Sequence, residues 1–388
     1  MKILYLSKAI LPSEISNSLS IMKLCEAFGN SGNEVLLTGI KPKKLAQNTF
    51  DYYGLKKSFK TKLFYINPFF SKKFISRFQF SGFYLALKFR KVYDNFKPDI
   101  IYSRLTLFEL LFIPSKTPIY YEMHSLGFLG KSWFHKILFL LMVRLKNFEK
   151  VIVTTKTLEE LLRKYFKGKI KIVVARLSAE KPISISGHEI NRFRLNYLKG
   201  KKFNHHVGYT GYLDKIGLRG TDIICKIAHE MPDIAFHIVG GKSDIVDFWK
   251  EYSKTLNKNE NIFFYGYRKP SEMPYFLNCF DIVLAPLQFK PSRSAPTGAG
   301  MSPLKIAQYL SYSKPIIASK IPAHKEILIN EINSLLVSHD KPIEWINAIK
   351  RLLKDKKLNF RLSNQALIDY NCFFTPNSRV NKILDSSK

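Results

Sequence analysis

Short apolar runs rich in β-branched and aromatic residues, each followed by a stretch of helical period, recur along this chain from its first residues. Such alternation of strand and helix restricts the fold to parallel sheets with helices on both faces. In the first half, strands are read at residues 2–6, 34–38, 100–102, 119–122, 151–154 and 170–174. Between the first two, Ile21, Leu24, Cys25 and Phe28 fall on one helical stripe that ends near Gly32. Around residues 182–202 the pattern gives way to a polar, basic stretch, and it restarts at His206-Val207-Gly208-Tyr209-Thr210. Strands then follow at 207–210, 235–239, 262–265, 282–285 and 315–318. The reading is therefore α/β, with two Rossmann-like doubly wound domains facing across a cleft. These are a first domain at 1–180, a linker at 181–203, a second domain at 204–366, and a terminal helix at 367–388. A chain of 388 residues is long enough for two such cores. Ligands of doubly wound sheets belong at the carboxyl ends of the strands.

Charge narrows the partners. With 62 Lys and Arg against 30 Asp and Glu, the formal charge is +32, which calls for an anionic partner. The excess is concentrated: residues 41–93 hold 13 basic residues and one acid, Asp51. Interleaved there are Phe59, Phe64, Phe69, Phe70, Phe74, Phe78, Phe80, Phe83 and Phe89, a mixture suited to an anionic membrane surface. The same composition also fits a Phe-rich core beneath a solvated lysine face. None of the recognisable nucleic-acid motifs is present, so nucleic acid is not expected as a partner. The longest apolar run, Ile137 to Val143, is seven residues, far short of a membrane span. The start, Met1-Lys2-Ile3-Leu4-Tyr5-Leu6, reads as a buried strand rather than a signal peptide. The expectation is a cytoplasmic protein held peripherally at the inner face of the membrane. Phe128 to Leu140 fits either an interfacial helix or a core helix. Cys25, Cys225, Cys279 and Cys372 lack the spacing of a zinc site or a disulfide framework, so no metal is expected.

The most informative segment runs from Thr297 to Leu310, Thr-Gly-Ala-Gly-Met-Ser-Pro-Leu-Lys-Ile-Ala-Gln-Tyr-Leu. Ser302 suits an N-cap and Pro303 the first helical position, so a helix opens directly after a glycine-bearing loop. The N–H groups of Leu304 and Lys305 then face outward, where the helix dipole favours an anion such as a diphosphate.

Ser302-Pro303-Leu304-Lys305, with Gln308-Tyr309-Leu310 and Lys314-Pro315-Ile316-Ile317-Ala318-Ser319, resembles the donor segment of retaining GT-B glycosyltransferases, glycosyltransferase family four. The likeness extends to Asn17-Ser18 through Lys23, Tyr121-Glu122-Met123-His124, Gly208 to Leu213, Phe264 to Tyr267 and Asp281 to Pro286. It implies transfer of a sugar from a nucleotide-diphosphate sugar to a lipid-linked or polysaccharide acceptor, with retention and without a metal. The nucleotide sugar is a co-substrate and no other cofactor is implied. Carried over residue by residue, His124, Arg219 and Lys305 are the catalytic candidates. Donor binding falls to Asn17, Ser18, Tyr212, Tyr267, Arg268, Gly300, Ser302, Pro303, Leu304, Gln308 and Glu326.

Two departures stand beside these matches. Gly300 and Gln308 occupy the places of the family's paired glutamates, leaving hydrogen bonding but no carboxylate. Tyr212 stands where an arginine is common and Arg219 where a lysine is common, so Arg219, helped by Lys215 or Lys305, takes over neutralisation of the leaving group. The departures keep two alternatives open, a catalytically silent scaffold or binding subunit and a nucleotide-sugar epimerase on the same fold.

Overall fold

The computed structural model describes residues 1–42, 48–65, 80–105, 110, 113, 116–124, 133–166, 170–256, 260–289 and 304–385. It divides into two compact units, Met1–Arg176 with Arg379–Lys388, and Leu177–Ser378.

The first unit carries β1 (Lys2–Leu6), α1 (Ser16–Asn30), β2 (Glu34–Ile40), α2 (Thr49–Tyr53), β3 (Lys60–Phe64), α3 (Phe80–Phe96), β4 (Ile100–Ser103) and β5 (Ile119–Met123). After these come α4 (Trp133–Met142), β6 (Phe148–Val153), α5 (Lys156–Phe166) and β7 (Ile172–Val174). Its seven strands lie in the order β3-β2-β1-β4-β5-β6-β7, every pair parallel. Side chains of successive residues alternate between two cores. Leu4, Leu6, Ile101, Val151 and Val153 enter one, while Ile3, Tyr5, Ile100, Tyr102 and Ile152 enter the other. Burial on both faces is why these strands are apolar throughout.

The second unit carries α6 (Gly187–Asn196), β8 (His205–Thr210), α7 (Thr221–His229), β9 (Ile234–Val239), α8 (Ser243–Leu256), β10 (Ile262–Gly266) and α9 (Met273–Cys279). It continues with β11 (Ile282–Ala285), α10 (Leu304–Ser311), β12 (Ile316–Ser319), α11 (Pro322–Lys325), β13 (Leu335–Val337), α12 (Pro342–Lys354) and α13 (Lys356–Asp369). The last helix, α14 (Pro376–Leu384), begins in this unit and ends in the first. The sheet order is β10-β9-β8-β11-β12-β13, again all parallel. Strand order reverses between β1 and β4 in one unit and between β8 and β11 in the other, the switch points at which ligands enter such sheets.

Three readings of the sequence differ from what is seen. The stretch at 181–203 holds a helix, α6, with a reciprocal capping box between Ser186 and Glu189, and no residue of α6 is buried, so apolar periodicity gave no signal there. Strands β3 and β13 were not read from the sequence. The first is a lysine-bearing edge strand and the second is three residues long. Finally, Phe59, Phe64 and Phe89, read with a membrane-facing set, are buried in the first unit's core. Phe69, Phe70, Phe74 and Phe78 lie outside the described residues, as do the side chains of Phe80 and Phe83.

Candidate functional site

In the second unit the site grows from the loop after β8. Gly211 donates its N–H to Val239 O at 2.9 Å, and Gly240 donates to Gly266 O at 2.8 Å, drawing the carboxyl ends of β8, β9 and β10 together. The approach is close enough that a Cβ at Gly240, where φ is +126°, would stand 2.0 Å from Gly211 O. The loop then turns around Asp214, whose Oδ1 accepts from Leu218 N at 2.9 Å and whose carbonyl accepts from Trp249 Nε1 at 2.9 Å. Gly220, left-handed at φ +74°, passes so near Pro286 that a Cβ would lie 1.9 Å from its carbonyl oxygen, and α7 starts there.

Two cations meet beside this loop. Lys305, the second residue of α10, sets its Nζ 3.8 Å above the Tyr209 ring and 3.1 Å from where a Cβ on Gly211 would lie. Arg219 lies over the Tyr212 ring at 5.7 Å and brings Nε to 3.7 Å from Asp214 Oδ2. Tyr209 donates to the Tyr212 carbonyl at 2.9 Å, tying the two aromatic supports into one wall. Burial, reinforced by the Arg219 charge, pushes the Lys305 ammonium well below the ordinary lysine range. Among the described residues Asp214 pairs with Arg219, and no carboxylate pairs with Lys305. An anion bound here relieves both.

Other second-unit candidates surround the same strand ends. Leu304 opens α10 in the described residues, and Gln308 is one turn further on, partly buried. Tyr267 and Arg268 directly follow β10; Tyr267 is exposed, and Arg268 pairs with Glu272 at 3.6 Å. Glu326 ends α11. Gly300, Ser302 and Pro303 lie outside the described residues. Lys215, read as a stand-in for the missing charge, instead pairs with Asp244 at 3.5 Å and faces Phe248. Sequence reasoning passed over His324. This buried side chain donates Nδ1–H to Ser319 O at 2.9 Å, and burial holds it neutral, down to about 4.

The first unit holds the remaining candidates. Ser18 is buried, donating to Ile10 O at 3.1 Å and meeting Ser13 Oγ at 2.8 Å, while neighbouring Asn17 is exposed. His124 follows β5 and places Nε2 2.6 Å from Glu122 Oε1. Glu122 is buried, which by itself would raise its carboxyl. Arg379, Arg104 and His124 outweigh that and hold it well below the usual carboxylate range. For His124, burial lowers the imidazole more than Glu122 raises it. Glu122 and Arg379 were not among the candidates, and the adjacency of Glu122 to His124 in the quoted motif was the signal available.

The two parallel switch-point sheets, with a cationic recess at the strand ends of the second, define the class: this is the GT-B fold of glycosyltransferases. The model of the family "Glycosyl transferases group 1" matches residues 204–355, within the second unit. UDP-Gal:α-D-GlcNAc-diphosphoundecaprenol α-1,3-galactosyltransferase of Escherichia coli is 28% identical over 134 residues, 34% of this chain. That alignment spans 32% of the relative, so the chain matches about a third of its length. Among solved structures, Anabaena HepE in complex with UDP and glucose superposes with a TM-score of 0.75 at 18% identity, covering 100% of both chains. Sucrose-phosphate synthase of Thermosynechococcus elongatus gives 0.73 at 16% identity, covering 98% of this chain and 97% of the other.

Proposed function

We propose that this chain transfers a sugar from a nucleotide-diphosphate sugar to a lipid-linked or polysaccharide acceptor in envelope glycan synthesis, with retention of anomeric configuration. The observation that carries the reading is the pair Lys305 and Arg219 at the strand ends of the second unit, a buried ammonium beside a guanidinium that has the Asp214 carboxylate to itself. Cleaving the bond between the anomeric carbon and the diphosphate oxygen leaves negative charge on the phosphate. Fixed positive groups beside it lower the barrier without reorganising. Gln308 bonds ribose hydroxyls in this scheme, Tyr267 and Arg268 edge the base, and Glu326 faces the sugar. Gly300, Ser302 and Pro303, which precede α10 in the sequence, are assigned to the phosphates, and the exposed Asn17 beside Ser18 is the first unit's donor contact. His124 takes a hydroxyl of the sugar. The relative named for UDP-Gal and the fold neighbour bound to UDP make a uridine diphosphate sugar the first donor to try.

The acceptor side rests on α4. Phe139 and Met142 of this helix are buried, whereas Ile137, Leu140 and Leu141 are exposed on one stripe, followed by exposed Arg144 and Lys146. Apolar groups rimmed by cations on a chain of formal charge +32 suit an anionic bilayer, where lipid-linked acceptors reside. Among the described residues no helix is long and apolar enough to cross a membrane.

The test is a panel of nucleotide sugars, scored for donor hydrolysis and for transfer to polyprenyl-diphosphate acceptors, with calorimetry of the nucleoside diphosphate alongside. Binding and turnover are expected. Binding without turnover favours the silent binding subunit that Gly300, Gln308 and Tyr212 point to, and no binding removes the phosphate site altogether. Co-sedimentation with anionic vesicles, lost on Leu140→Glu/Leu141→Glu, tests the membrane surface.

A further inference from the structure

Glu122 is almost wholly buried, and every acceptor position on its carboxylate is filled. Oε1 accepts from Arg379 Nη2 at 2.6 Å and from His124 Nε2 at 2.6 Å; Oε2 accepts from Tyr102 Oη at 2.8 Å and Tyr5 Oη at 3.4 Å. Two donors per oxygen saturate an ionised carboxylate, which has about four acceptor sites. Because that carboxylate cannot donate, the shared proton belongs to His124 Nε2. A neutral imidazole so fixed presents Nδ1 as an acceptor, and among the described residues nothing donates to it. The side chain is 29% exposed, so the ring is reachable.

Arg379 comes from the far end of the chain. It lies on α14, whose Val380 and Ile383 are buried in the first unit's core. A second buried cation anchors the same segment, Lys150 of β6 donating Nζ to Asp385 O at 3.0 Å while lying 4.2 Å over the Tyr120 ring. The charges facing His124 are Glu122 on its own strand, Arg104 after β4, and Arg379 on α14, with the neutral hydroxyls of Tyr5 on β1 and Tyr102 on β4 and the Cys25 thiol of α1 around the carboxylate. One anion against two guanidiniums leaves no negative charge over for an imidazolium.

We infer that Arg379 is a positioning residue for His124, acting through Glu122, so that the returning terminal helix sets both the tautomer and the neutral state of a first-unit sugar contact. The Glu122 charge is claimed by Arg379, and His124 is oriented by the remaining lone pair without being driven to the cationic form. The ring is thereby kept as an acceptor for a sugar hydroxyl. Removing the guanidinium hands the carboxylate to the imidazole, which then ionises more readily and turns from acceptor to donor at Nδ1. The hydroxyl-accepting role rests on the proposed transferase function; the control of His124 by Arg379 does not.

The experiment therefore reads His124 directly. In the full chain with labelled histidines, the His124 resonance is assigned by its loss in His124→Gln and titrated by NMR. Relative to wild type, Arg379→Gln should move the midpoint to higher pH, Glu122→Gln to lower pH, and Arg379→Lys should restore it toward wild type. With a donor and acceptor in hand, Arg379→Gln should lower kcat about tenfold, the size of one hydrogen bond between neutral groups, and leave nucleoside diphosphate affinity unchanged. An unmoved midpoint, or shifts of one sign in both variants, overturns the inference even if transfer is found. Shifts of opposite sign without any transfer uphold it and count against the transferase reading alone. Should Arg379→Gln fail to fold, the ring-nitrogen chemical shifts of His124 in the wild-type chain near neutral pH replace it: a neutral ring with its proton on Nε2 is expected, and a doubly protonated or Nδ1-protonated ring overturns the inference.

Discussion

In the first unit the buried Glu122 carboxylate meets four hydrogen-bond donors, whereas in the second the Lys305 ammonium has a tyrosine face and another cation for neighbours. Burying a charge is tolerated when its partners are complete, and the first arrangement is complete within the protein. The second is incomplete. A bound anion would supply the charge that the protein itself does not.

Acid should separate the two units most widely. Burial holds His237 down to about 3 and His324 down to about 4, against 6.5 for a free histidine. Folded, both are neutral while the unfolded chain binds protons, so the second unit's stability is full above about pH 6.5 and lost as the pH falls toward 4 and below. The loss is on the order of several kcal/mol, comparable with the whole stability of a domain. The lowered His124 adds a loss of the same sign to the first unit, whereas the contribution of Glu122, held well below the carboxylate range, is full above the unfolded value of about 4.3 and is lost as the pH falls from there through the lower range. Urea unfolding at pH 7 and pH 4.5 checks this through the fluorescence of Trp249 and Trp345, both buried in the second unit. A midpoint independent of pH over that interval would erase the contrast.

Next in size is the uncoupling of the buried pair. Arg379→Met should cost the first unit about 3–5 kcal/mol, because it strands the Glu122 charge. Thermal melts compare it with Glu122→Gln/Arg379→Met, expected to recover part of the loss. In the second unit Arg219→Ala should instead leave the melting temperature nearly unchanged and cut turnover about a hundredfold. Unchanged turnover takes Arg219 out of the site. The smallest effect concerns protons. A nucleoside diphosphate beside Lys305 raises a pKa that burial has depressed, so binding should take up a fraction of a proton, measured by calorimetry in buffers of different ionisation enthalpy. Lys305→Met should abolish the uptake.

Much of the fold was legible because strand burial is a local, repeating property. Ile282-Val283-Leu284-Ala285 is apolar on both faces, and its neighbours alternate in the same way. Strand β3, with Lys60 and Lys62 exposed, did not carry that signal, and helix α6 buries nothing. The site was legible in part. Lys305 and Arg219 stand in quotable motifs, and the structure brings them to one loop. Lys215, three residues from Tyr212, was drawn away by Asp244. His324 was hidden within a segment read for Glu326, since nothing in its neighbours announces that the ring is buried.

What the sequence by itself determined is the alternation of strands and helices, the two-sheet division and the motifs at the strand ends. Each follows from side-chain period and capping chemistry within a few residues. Only the tertiary structure decided which charges meet. Glu122 and Arg379 are 257 positions apart, and the fold alone sets their 2.6 Å contact. Electrostatic pairing depends on distance and burial in space, which local sequence does not encode.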